Sequence, residues 1–147
     1  MRLLLDAGAN VNVQAGQNGG ALCAASISGR EQVVKLLLIA GANVYAQGGR
    51  YGNALQAASF GGYGQVVELL LSAGADVDAE GGHYGNSLQA GSWRGSEEMV
   101  KLLLDAGADV NAQGGEYGSA FQAAMEMGHE QIVEYLIDEG ADDVDMT

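Results

Sequence analysis

Residues 48–62 read GGRYGNALQAASFGG, and residues 81–95 read GGHYGNSLQAGSWRG. The two stretches start 33 residues apart, and they differ most at Arg50/His83 and Phe60/Trp93. Working outward, the same step runs the length of the chain. Gly8, Gly41, Gly74, Gly107 and Gly140 keep it, each followed by alanine. Leu4, Leu37, Leu70, Leu103 and Leu136 keep it, and so do Gly29, Gly62, Gly95 and Gly128. A fixed period of roughly 20–50 residues implies one small unit copied along a line rather than a single closed core. The frame slips only near the end, where Asp143 takes the place held by Val11, Val44, Val77 and Val110.

Within one unit, GQVVELLLSAG at 64–74 is an apolar stretch that stops at Gly74, a residue suited to the left-handed end of a helix. Upstream, Asn53 can cap the free amides of a following turn, and Ala54, Leu55, Gln56, Ala57 and Ala58 favour a short helix ending near Gly61 and Gly62. The small alanines allow that first helix to approach its neighbours closely. The segment between units, ADVDAEGGHYG at 75–85, is too polar and glycine-rich for a helix and reads as a turn or hairpin arm. Isolated helices shorter than about 12–15 residues are marginal in water, so each pair must bury its apolar stripe against the next. The expected fold class is therefore an all-α repeat solenoid, a stack of helix-turn-helix pairs joined by short hairpin loops.

The unit resembles the ankyrin repeat, whose signature is T-P-L-H-x-A in a period of about 33 residues. Asn53, Ala54, Leu55 and Gln56 stand where that family has T-P-L-H, and Ala58 stands at its alanine. Gly128-His129-Glu130-Gln131 resembles the family's G-H-x-E turn, and LLLDAGADVNA from Leu102 matches the end of its second helix. The departures are systematic. Asn53, Asn86 and Ser119 replace the family's threonine; Ala54, Ser87 and Ala120 replace its proline; Gly48, Gly81 and Gly114 replace its hairpin aspartate. In that dialect the chain is similar to the ankyrin arrays of large fungal NOD-like proteins. The resemblance implies a truncated repeat at 1–12, repeats at 13–45, 46–78 and 79–111, and a C-terminal repeat with an acidic tail at 112–147. It also makes His129 a structural turn residue.

Composition limits the function classes. Hydrophobic residues make up 48% of the 147, which rules out a disordered composition, and the single Cys23 rules out an internal disulfide. Three leucines before Asp6 are too short for a signal core or a membrane span, so the expectation is an intracellular chain of the cytoplasm or nucleus. The net charge of −13 is lopsided: from Glu97 onward there are 13 acidic residues against Lys101 alone. Such a field repels phosphate backbones and anionic lipid, and it suits a basic partner or plain solubility. Nucleic-acid and membrane binding are not expected. Neither are catalysis, a cofactor or a metal. His83 and His129 lie far apart in sequence, one thiol cannot build a zinc set, and no nucleophile motif is present. The glycine-rich GGRYGN and GGHYGN lack the lysine and spacing of a phosphate loop.

The family resemblance implies a protein ligand held on the concave face, by hairpin tips and first helices. In this register the variable positions are the tips, Gln17, Arg50, His83 and Glu116, and the first-helix ends, Ile27, Phe60, Trp93 and Glu126. Beside those ends lie Ser28, Gly61, Arg94 and Met127. Aromatic residues and arginine dominate interface hot spots. The expected site is thus Ile27, Arg50, Phe60, His83, Trp93, Arg94, Glu116 and Met127, with an apolar strip along Ile27, Phe60, Trp93 and Arg94. Packing of both rings between repeats is the competing expectation. The recurrent Tyr51, Tyr84 and Tyr117 are expected to brace the hairpins, and Gly91, where other units have alanine, to weaken its helix. Met1 to Ala7 resembles a second helix without its first. That suggests a fragment of a longer array, or self-association through Leu3, Leu4 and Leu5 as a scaffold. The acids of EYLIDEGADDVDMT are expected to form a solvent-facing cap.

Overall fold

The computed structural model describes residues 20–47 and 50–141. The part repeat at 1–12 with Leu3, Leu4 and Leu5, the tip residue Gln17, Gly48, and the tail acids Asp142, Asp143 and Asp145 lie outside them. The described residues form eight helices: α1 Ala21–Ile27, α2 Glu31–Ile39, α3 Ala54–Gly61, α4 Gly64–Ser72, α5 Ser87–Arg94, α6 Glu97–Asp105, α7 Ala120–Glu126 and α8 Glu130–Asp138. They pair as α1/α2, α3/α4, α5/α6 and α7/α8, each pair turning through a left-handed glycine and stacking on the next. The first helices pack on one another more extensively than the second helices do, so the stack curves with α1, α3, α5 and α7 on its inner side. The Ala57, Ala90 and Ala123 methyls, buried on those inner helices, let them come close.

The core is a row rather than a centre. Leu37, Leu70, Leu103 and Leu136 are fully buried in successive pairs, with Leu22, Leu55, Leu88 and Phe121 on the first helices. Each pair leaves its apolar stripe for the next pair to cover, which is why the period in the sequence and the stacking are the same fact.

The first helices start as the sequence expects. The Asn53 side chain accepts from the Gln56 amide at 2.8 Å, and the Gln56 side chain accepts from the Asn53 amide at 2.9 Å, a reciprocal capping box. Asn86 and Ser119 accept from Gln89 and Gln122 amides in the same way. Gln56 does more: its Nε2 donates to the Gly81 and Gly85 carbonyls at 2.7 and 2.9 Å, tying its own cap to the next hairpin. Gln89 repeats the bridge to the Gly114 carbonyl at 2.7 Å.

The hairpins close through the antiparallel bridges Gly81↔Gly85 and Gly114↔Gly118. At Gly82 the backbone turns left-handed (φ +67°), and a Cβ there would lie 2.6 Å from the Gly52 nitrogen. Successive tips therefore touch backbone to backbone, with His83 N–H donating to the Arg50 carbonyl at 2.8 Å and Glu116 N–H to the His83 carbonyl at 3.1 Å.

The C-terminal pair is not sheathed in charge alone. Glu134, Asp138 and Glu139 are exposed as expected, but Met125, Met127 and Ile137 stand 45%, 42% and 40% exposed beside them. No helix among the described residues is long and apolar enough to cross a membrane.

Candidate protein-binding face

The inner helices end, and the hairpins reach, on the same side of the stack, and the aromatic residues meet there. Phe60 at the end of α3 stacks on Trp93 near the end of α5, with ring centroids 5.4 Å apart. The Tyr84 ring lies 4.9 Å from Phe60 and 5.2 Å from Trp93. Tyr51 joins Phe60 at 5.0 Å, and Tyr117 joins Trp93 at 6.5 Å. Tyr84 is buried, while Tyr51, Phe60, Trp93 and Tyr117 are half-buried. These contacts span three repeats without a break. Each such ring pair contributes on the order of 0.5–1.5 kcal/mol beyond its buried area.

The polar rim follows the same register. The Arg94 guanidinium covers the Phe60 ring at 5.6 Å from its centroid, a cation–π contact reaching back one repeat. Burial pushes the Tyr84 phenol above its ordinary pKa, and the Arg50 charge and hydrogen bond pull it partly back. His83 meets Glu116 Oε2 at neighbouring tips, and its ring stands edge-on to Tyr84 at 4.7 Å.

The eight residues expected at the site are brought together only in part, and Ile27 does not join Phe60, Trp93 and Arg94 in the expected strip. Phe60, Trp93 and Arg94 are brought together, Arg50, His83 and Glu116 form a second row across the tips, and Met127 is exposed one repeat beyond Arg94. Ile27 is half-buried and takes no part in the ring contacts. Phe60 and Trp93 follow the packing expectation without being fully covered. Their rings pack across repeats and still keep a solvent-facing part. Of the recurrent tyrosines, Tyr84 is buried beneath Phe60 and Trp93, while Tyr51 and Tyr117 join the half-buried rings at the surface, a contribution that the sequence reading did not anticipate. The available signal was their place beside each variable tip.

Elsewhere the chemistry is sparse. Cys23 is buried on α1 and its thiol is pushed up to about 11 by desolvation, which makes it a poor nucleophile. His129 points its Nε2 at the Trp93 carbonyl at 3.0 Å and packs its ring on Gly95, as a turn residue does. Among the described residues no group of three or more His, Cys, Asp or Glu side chains could hold a metal ion. An open groove of about 330 Å³ lies between α4 and α6 on the outer side, edged by Glu68, Glu98 and Leu102.

Family models for ankyrin repeats match the chain at residues 1–81 and 22–114 in three-copy form, and at residues 88–142 in many-copy form. No curated protein matches it.

Proposed function

The chain belongs to the ankyrin repeat family, and from that premise we propose that it is a non-enzymatic module that binds a protein ligand on its concave face, as the recognition array of a larger intracellular protein. Ankyrin repeats are protein–protein interaction modules. The observation that carries the finer reading is the ring cluster of Tyr51, Phe60, Tyr84, Trp93 and Tyr117, continuous across repeats and rimmed by Arg50, Arg94, His83 and Glu116. Large rings that are already held by their neighbours present contact area at little further entropy cost. The likeness to fungal NOD-like arrays belongs to the same proposal, since there an array of this kind would follow an NTPase module.

Trp93→Ala alone is a poor test, because the ring also packs three repeats together and its loss lowers stability as well. Arg94→Ala and Met127→Ala remove exposed side chains and are expected to shift the melting midpoint little. In a capture experiment from host extract, both variants are expected to recover less of whatever the wild type retains, while Gln65→Ala on the outer side recovers as much. Equal recovery by all four would refute the concave reading.

A further inference from the structure

The concave reading leaves the partner's chemistry open, and the next step rests on that reading. Along the inner side the columns change sign. Phe60 and Trp93 are followed in register by Glu126, and Arg50 and His83 by Glu116; both carboxylates are exposed, Glu116 with one oxygen against His83 and the other facing away from that contact. The face's own cations are engaged toward its N-terminal half, Arg50 on Tyr84 and Arg94 over Phe60. Among the described residues no lysine or arginine lies over Trp93 or Tyr117, at the acidic end, and the His83 ring meets Tyr117 only edge-on at 6.3 Å. The described residues make such cation–ring contacts themselves, with Arg94 on Phe60 at 5.6 Å and Lys101 on Tyr135 at 5.5 Å. Behind this half of the face, every carboxylate described between Glu97 and Glu139 is exposed, with Lys101 the only lysine or arginine among them. Such a field draws in cations and speeds their encounter.

We propose that the concave face takes an arginine- or lysine-bearing extended segment of a partner protein, with its cation over Trp93 and Tyr117 between Glu116 and Glu126. The ring faces supply cation–π attraction and the two carboxylates supply the charge that holds the side chain in place.

Trp93 is the one tryptophan in the chain, so its fluorescence reads this site directly. The probes are three synthetic glycine–serine peptides of equal length, carrying arginines, glutamines or glutamates at the same positions. The arginine peptide is expected to change Trp93 emission saturably, and its affinity to fall about tenfold as salt rises from about 50 to about 500 mM. Glu116→Gln/Glu126→Gln is expected to weaken it at least about threefold, and Glu68→Gln/Glu98→Gln, on the outer groove, to leave it unchanged. Tighter saturation by the glutamate or glutamine peptide would overturn the basic partner while leaving concave docking intact. Equal weakening by both double variants would overturn it too, since only diffuse attraction would remain. Absence of saturation by the arginine peptide would also overturn it, and the capture experiment above would then decide separately whether the face docks protein at all.

Discussion

Gly91 is the residue at which a local reading of the sequence is least complete. Alone it predicts a weakened helix, because glycine costs about 0.5–1 kcal/mol relative to alanine in a helix interior. In the fold, a Cβ added to Gly91 would lie 3.1 Å from Met99 Cγ. Met99 stands where other units have Val33, Val66 and Ile132, so the longer side chain occupies the room that the missing methyl leaves. The two changes form a pair across the α5–α6 turn. Helix propensity cannot reveal such a pair, since the compensation lies on another element. Gly91→Ala is therefore expected to gain little by itself, and Met99→Val to cost about 1 kcal/mol for the void it opens. Together they should be more stable than the sum of the singles by about 0.5–1 kcal/mol in urea unfolding. Strict additivity would mean that the two sites are independent.

At the scale of the element, the helices were legible because caps and stops are local. Asn53 and Gly74 mark the start and end of a unit's helix pair within one stretch of chain, and α3 and α4 fall between them. The hairpins were legible only as turns. Why the family's aspartate can be glycine at Gly81 and Gly114 depends on the neighbouring repeat, whose glutamine side chain holds those carbonyls from outside. Gln56 makes this bridge while also completing its own cap, whereas the buried Gln89 Oε1 has no partner among the described residues. Ser92 Oγ and Trp93 Nε1, also on α5, are likewise buried and unpartnered. Gln56→Ala is thus expected to destabilise by about 2 kcal/mol, and Gln89→Ala by clearly less, in paired denaturant titrations. Equal losses would contradict the distinction. Three buried, unsatisfied polar groups on α5 are therefore expected to weaken the 79–111 unit, whatever Met99 restores beside Gly91.

For the whole molecule, the period dictated a stack with one curved inner side, because short helix pairs have nowhere else to bury their stripes. What the stack does with its variable positions was less legible. Phe60 and Trp93 lie 33 residues apart, and only the packed repeats reveal that they share a face with Tyr51, Tyr84 and Tyr117. The central claim is that recognition happens on this face and not on the outer one. Site-specific photo-crosslinking tests it most directly, with a benzoyl-phenylalanine placed at Met127 on the inner side or at Glu68 on the outer side, both exposed. A discrete protein adduct is expected from position 127 in host extract, lost on Phe60→Ala/Trp93→Ala substitution, and none from position 68. An adduct from position 68 alone, or equal adducts from both, would contradict it.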